Sequence, residues 1–209
     1  LCFPIDAIDK IREGSMGVSR QQAAENRSAI VAAAERLFRA RGVDAVGLTE
    51  LMKEAGFTQG GFYNHFKSKD ALVAEVMEKA MQDRADSPNA GSLDAQVALY
   101  LSAAHRDNVE AGCPLSGFAG DAPRLTDAAR ACYARGLATY LDRLERMVAK
   151  EGATPAQTRR EAVAVFSQMV GALVLSRAIA GTDQALADEI LAAGRETLTA
   201  GRDDSGTPA

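Results

Sequence analysis

Two consecutive glycines, Gly60 and Gly61, stand inside GFTQGGFYNHF (residues 56–66), and the sequence on both sides reads as helix. Each glycine disfavours a helix by roughly 1 kcal/mol relative to alanine, so a helix across this stretch is short and must be held by what it packs against. Upstream, Ile30, Ala33, Ala34, Leu37 and Phe38 recur at helical spacing from about Ala24 to Arg41, and Gly42 is a stop. Leu48, Leu51, Met52 and Ala55 mark a second, short helix ended by Gly56. Thr58 is an N-cap for a third from Gln59 to about Phe66, and Ser68 caps a fourth, long one with Leu72, Val73, Val76 and Met77 inside. Two short helices joined by GFT beneath a longer first one read as a helix-turn-helix.

Advancing about 100° per residue from Gln59 puts Phe62 and Phe66 together on one side of the third helix, to pack with Phe57, Leu37 and Leu51. Gly60 and Asn64 fall opposite, flanked by Tyr63 and His65. A helix that enters the major groove needs a thin leading end, so that backbone can approach bases and phosphates without a clash. Gly60 and Gly61 supply it, and the free amides at a helix start suit a phosphate oxygen. Gln59 and Asn64 carry amide edges that read bases, whereas Tyr63, His65, Lys67 and Lys69 give positioning contacts. The competing reading is a packing device, with both glycines permitting a close helix crossing. Charge favours the first reading modestly. The net charge is −4, but residues 17–70 hold 8 Lys/Arg against 6 Asp/Glu while residues 71–209 hold 14 against 19.

The remaining chain is also patterned as helix, in an alanine-rich composition without tryptophan, so the fold class is all-α: an N-terminal helix-turn-helix domain, then a larger helical domain. The domains read as 17–70 and 71–200, between a non-native leader at 1–16 and a flexible tail at 201–209, with SPNAGS (87–92) as a turn-rich break. Helices are expected at about Leu93–Ala111, Pro114–Ala122, Thr126–Glu151, Pro155–Ala180 and Gln184–Ala200. The most apolar stretch, Ala162–Ala180, is interrupted by Ser167, Gln168 and Arg177 and reads as a buried helix, not a membrane span. Leu137, Leu141, Leu144 and Val148 form a stripe with Arg143 and Arg146 outside it. Residues 155–180 are apolar nearly all round, and a second copy of the chain is the economical cover, which makes 155–180 and 184–200 a homodimer interface. Cys2, Cys113 and Cys132 fit no metal spacing and point to a reducing cytoplasm; no metal or cofactor motif is present.

The run AIVAAAERLFRARGVDAVGLTELMKEAGFTQGGFYNHFKSKDALVAEVMEKA (29–80) resembles the DNA-binding region of the TetR family of bacterial transcriptional regulators, matching RLFRARG, LMKEAGFTQGGFYNHF and SKDALV in order and spacing. The resemblance implies that Thr58, Gln59, Gly60, Gly61, Tyr63, Asn64 and His65 face an operator in double-stranded DNA, and that Thr49 and Lys69 hold phosphates. Gly47 replaces the usual Ser or Thr cap, and Gly61 a commoner Thr or Ser. It further implies a non-enzymatic regulator, a repressor released by a small-molecule effector in the later helices, with the helix from Ser68 to about Ser87 and the one after Pro114 transmitting the change.

EAGCPLSGFAGDAPR (110–124) is the most unusual late stretch. Cys113 precedes Pro114 at a helix start, where the dipole favours thiolate, against a plain reading as a small residue in a tight turn beneath Gly112. Tyr100, Cys113, Phe118, Tyr133, Tyr140, Phe166 and Met169 are the candidates for an effector pocket, and each also reads as core. His105 reads as a surface residue. Two other function classes compete: a redox- or electrophile-responsive thiol protein acting through Cys113, and a sequence-blind architectural DNA binder.

Overall fold

The computed structural model describes the backbone of residues 6–87 and 91–200, and the side chains of all of these but 6–19. The expected tail at 201–209, residues 1–5 of the expected leader, Cys2 and the centre of SPNAGS lie outside the described residues. Among the described residues every regular element is a helix. They are α1 (Asp6–Arg41), α2 (Leu48–Glu54), a 3-10 helix (Gln59–Asn64), α3 (Lys69–Asp86), α4 (Leu93–Tyr100), α5 (Ala103–Asp107), α6 (Pro114–Gly117), a 3-10 turn (Ala122–Arg124), α7 (Asp127–Val148), α8 (Pro155–Ile179) and α9 (Gln184–Thr199).

The chain forms two compact units, Leu1–Val76 and Met77–Ala209, divided within α3. In the first unit Ile30, Ala34, Phe38, Val46, Leu51, Met52, Phe62 and Leu72 are wholly buried, so the stripe of α1 meets the inward residues of both short helices. The segment Gln59–Phe66 forms 3-10 helix and stops at Asn64 instead of continuing as an α-helix. The two glycines explain this, because a short segment of poor helix formers does not recover the cost of nucleating α-turns. Thr58 adopts the extended backbone of an N-cap, but its side chain makes no capping hydrogen bond; Gly61 N–H donates to the Thr58 carbonyl at 3.0 Å instead. Ser68 does cap, its hydroxyl accepting from Ala71 N–H at 3.1 Å.

The second unit is built on α7, α8 and α9. Thr126 and Asp183 accept side-chain caps at the starts of α7 and α9, and Thr154 forms a reciprocal capping box with Gln157 ahead of Pro155. Each such cap is worth about 1 kcal/mol. The helix expected over Leu93–Ala111 is interrupted. Leu101 leaves the helical region, Ser102 caps a new short helix by accepting from His105 N–H at 3.1 Å, and Asn108 accepts from Ala111 N–H at 3.2 Å. Side chains that bond their own backbone offer the chain an alternative to the helical ladder, and here they win. Pro114–Ala122 likewise yields only the four-residue α6.

Arg143, expected outside the α7 stripe, turns in and donates to the carbonyls of Arg84, Ala85 and Ser87, closing the C-terminal end of α3. Helix α8 is long and apolar enough to cross a bilayer by length and composition, yet Ala162, Val165, Phe166, Met169, Leu173 and Ser176 are buried in its packing with α7 and α9. Val163, Val174 and Leu175 remain 42%, 43% and 60% exposed, and Leu186 of α9 44%, so one apolar face of this pair is uncovered.

Helices α3 and α7 meet at Gly136, where an added Cβ would lie 2.3 Å from Met81 Sδ and 3.0 Å from its Cβ. The Met81 stem cannot swing clear of such a contact. Gly136→Ala is therefore expected to lower stability by about 1–3 kcal/mol through overpacking, despite the better helix propensity of alanine, and urea unfolding followed by circular dichroism measures it.

Candidate nucleic-acid interface

Nothing within the six residues of the 3-10 helix is strong enough to hold it; its neighbours do so. Gly56 at φ +85° takes the left-handed turn that ends α2, letting Phe57 N–H reach the Met52 carbonyl at 2.7 Å. Phe62 and Phe66 are buried, with ring centroids 5.5 Å apart. Arg27 of α1 then binds the far end. Its guanidinium donates to the His65 carbonyl and to both oxygens of Glu75, and lies 4.1 Å from the centre of the Phe66 ring. A cation bridging a helix C-terminus, a carboxylate and an aromatic face is well placed in all three respects. Sequence reasoning missed Arg27 and Glu75, because no local spacing links positions 27, 65 and 75.

With that side anchored, Thr58, Gln59, Gly60, Tyr63 and Asn64 are exposed, and Gly61, His65 and Lys69 half-exposed. Tyr63 is 68% exposed, its ring edge-on to Phe62 at 5.3 Å, which props it upright. Nothing lies within 4 Å of a Cβ built on Gly60, and the nearest atom to one on Gly61 is Met52 Cε at 3.7 Å. The packing reading of the paired glycines therefore finds no support, since no helix crosses closely there.

Two residues carry commitments the sequence did not reveal. Lys69 donates its ammonium to the carbonyls of Val43 and Val46 at 2.6 and 2.7 Å and lies 5.8 Å from the Phe38 ring, so it braces the loop between α1 and α2. Thr49, exposed on the first turn of α2, donates its hydroxyl to Gln59 Oε1 at 2.7 Å. Gly47 caps α2 with its backbone alone.

The candidate effector residues gather in the second unit. Tyr100 and Tyr140 both approach Phe166, at 6.2 and 4.6 Å between centroids, while Phe118 and Met169 are wholly buried. Arg84 stacks 4.5 Å from the Tyr140 ring, and Gln96 donates to the Tyr140 hydroxyl at 3.4 Å. Tyr133 donates to the Leu115 carbonyl at 2.7 Å and lines an open cleft of about 520 Å3 with Ala122, Pro123, Asp127, Arg130, Ala131 and Ala134. The Tyr100 hydroxyl is buried beside Ser116 and Cys113; burial, and next the neighbouring Cys113, hold its proton affinity well above that of an ordinary phenol.

His105 is no surface residue. Its Nδ1 meets the Tyr100 carbonyl at 2.7 Å, and its Nε2 accepts from Cys113 N–H at 2.9 Å. Gly112 beside it is crowded, since a Cβ would lie 2.7 Å from the tip of the Arg177 guanidinium and 3.0 Å from the Asn108 carbonyl oxygen. The helix expected over Pro114–Ala122 to polarise the Cys113 thiol is cut to the four residues of α6. Cys132, buried in α7, donates to Glu78 at 2.9 Å, and among the described residues no three His, Cys, Asp or Glu gather at a metal-binding geometry.

A profile of the bacterial regulatory proteins of the tetR family matches residues 30–76, the stretch from the inner face of α1 through the first part of α3. The HTH-type transcriptional regulator AcrR of Shigella flexneri is 43% identical over 60 residues, covering 29% of this chain and 28% of that protein. The chain thus aligns with little more than a quarter of that relative's length. The likeness of fold extends much farther. The reduced form of E. coli NemR superposes with a TM-score of 0.66 at 19% identity, over 88% of this chain and 99% of that one. AibR, solved in complex with isovaleryl coenzyme A and operator DNA, superposes with a TM-score of 0.57 at 18% identity, over 83% and 97%.

His105 also provides a pH test. Burial, foremost, lowers its pKa below the ordinary 6.5, so the folded chain keeps the ring neutral with Nε2 as acceptor. Its contribution to stability is fully present above pH 6.5 and is lost as pH falls from there toward the depressed folded value. Thermal melts at pH 7.5 and 5.5 should show a larger drop for the native protein than for His105→Gln, which retains an acceptor and does not titrate.

Proposed function

Because the chain belongs to the TetR family of bacterial regulatory proteins, we propose that it is a dimeric, sequence-specific DNA-binding transcriptional regulator, a repressor that leaves its operator when a small molecule occupies the second unit. The observation that carries this reading is the bare Gly60 on an exposed helix surface, among Gln59, Tyr63 and Asn64, with no atom of the described residues within 4 Å of a Cβ built there. A partner outside the chain supplies the requirement for glycine, and a duplex major groove fits the residue types around it. Gln59 and Asn64 read base edges. Thr58, Tyr63, His65 and Lys67 position the helix on phosphates, and Gly60 and Gly61 admit the close approach. Lys69 keeps one of its three N–H groups for a phosphate, the others being spent on Val43 and Val46.

Two copies associate through the uncovered Val163, Val174, Leu175 and Leu186 of α8 and α9, in the isologous manner of a two-fold dimer. Their recognition helices then meet half-sites about one DNA turn apart, roughly 34–36 Å. The effector site lies among Tyr100, Tyr133, Tyr140 and Phe166, where the aromatic rings converge on Phe166 and Tyr133 lines the open cleft. AibR carries isovaleryl coenzyme A in its complex, a precedent for a small-molecule effector on this fold. Helix α3 contributes to both units, so a ligand that favours one arrangement of it shifts the population that fits an operator.

A thiol enzyme at Cys113 is disfavoured. The nearby base, His105, spends both ring nitrogens on backbone groups, one of them the N–H of Cys113 itself.

Selection of bound fragments from random duplexes should return a palindrome, and sedimentation should give a dimer; retention of every duplex alike at moderate ionic strength would sink the proposal and favour an architectural binder. Gly60→Ala should melt at or above the native temperature yet bind the selected duplex about tenfold or more weakly, since a methyl intrudes on the approach. Tyr63→Ala should weaken binding to all duplexes alike, whereas Asn64→Ala should blur preference at particular positions.

A further inference from the structure

The exposed face of the 3-10 helix is not a set of independent side chains. Gln59 begins that helix, next to Gly60, which has no side chain, and Thr58, whose hydroxyl makes no capping bond. Its own helix thus gives the long Gln59 side chain no lateral support. The support comes from α2, where Thr49 Oγ1 donates to Gln59 Oε1 at 2.7 Å. An untethered glutamine would lose most of its rotamer freedom on meeting a base; one already tied at its oxygen has lost part of it beforehand.

We infer that Thr49 is a positioning residue for Gln59, holding the amide in a single orientation so that one base pair of each half-site is read. The inference rests on the DNA-binding reading above and changes the role that the family resemblance implies for Thr49, from a phosphate ligand to a determinant of specificity. Three features of the chain support it. The hydroxyl is already spent on Gln59, in a bond that leaves the second lone pair of Oε1 and both N–H donors of the amide free to face outward. Gly47, at the head of α2, has no side chain to compete for the same hydroxyl. Arg41 at the end of α1 and Glu50 in the first turn of α2 pair with each other, so neither diverts the Gln59 amide.

The two roles have different signatures. A phosphate ligand carries no sequence information, so its loss weakens binding to every duplex and flattens the dependence on salt. A residue that orients an amide acts at one base pair. The test uses the full chain, with Thr49→Val, Thr49→Ser, Gln59→Ala and the Thr49→Val/Gln59→Ala double variant, each titrated against the duplex selected by the native protein and against all single-base changes within one half-site. Thr49→Val should reduce discrimination at one base pair by about three- to tenfold, at the pair where Gln59→Ala abolishes it. Thr49→Ser, which keeps the hydroxyl, should restore the preference, and the double variant should discriminate no worse than Gln59→Ala. A uniform loss across all duplexes with a shallower salt slope would overturn the inference and return Thr49 to the phosphates, leaving the DNA-binding reading intact. Equal discrimination by Thr49→Val and the native chain would also overturn it. If the native chain itself shows no preferred base pair, the DNA-reading premise fails along with the inference.

Discussion

The exposed face of the 3-10 helix depends on a clamp that the face itself does not contain. A six-residue 3-10 helix with two glycines has almost no stability of its own, and its shape is imposed from behind by Phe62 and Phe66 in the core and by Arg27 across its far end. The clamp also explains how a surface can be both thin and fixed. No side chain stiffens the helix at Gly60 and Gly61, and the stiffening comes from α1 and from Glu75 of α3. The charge of Arg27 is shared among a carboxylate, a carbonyl and an aromatic ring, although the side chain stays half-exposed.

The second unit uses the same device repeatedly. Its chain is broken between α4 and α7, and each break exposes helix-end carbonyls that need donors. Arg195 donates to the carbonyl of Leu101, Arg177 to those of His105 and Arg106, and Arg143 to those that end α3. Arg106, buried at 4% exposure, pairs with Asp107 and Asp188 and ties the same region to α9. Charge-assisted bonds of this kind allow an interrupted backbone to be buried without orphaned carbonyls. They make the region a set of short pieces pinned by long side chains, with the buried Tyr100 hydroxyl among them.

Much of this was legible in the sequence, for identifiable reasons. The inward stripe of α1, the Gly56 stop, the Ser68 cap and the side of the 3-10 helix bearing Phe62 and Phe66 follow from local spacing, and local spacing survives folding. Gly60 and Asn64 on the opposite, exposed side follow from the same rotation. The break at Leu101–Ser102 was not legible, because an apolar run reads as continuous helix until tertiary partners such as Arg177 and Arg195 reward its interruption. Nor were the attachments of Lys69, Arg143 and His105 to backbone carbonyls. A long polar side chain reads as solvent-facing, and only the fold discloses which carbonyls come within its reach.

The glycines separate internal from external demands more sharply than any charged residue. At Gly136 a Cβ would strike the Met81 stem, at Gly112 it would crowd the Asn108 carbonyl, and at Gly56 the backbone takes a left-handed turn, whereas Gly47, Gly120, Gly171 and Gly181 share with Gly60 an open Cβ direction. Gly60 has a free Cβ direction and an ordinary backbone, in a helix that alanine would stabilise. The chain gains nothing internally from glycine there and forgoes roughly 1 kcal/mol of helix propensity. Gly60 thus weakens its own helix on a surface held rigid from behind by Arg27, Phe62 and Phe66, with the amides of Gln59 and Asn64 and the Tyr63 phenol exposed beside it, which is the arrangement the proposed duplex contact would use.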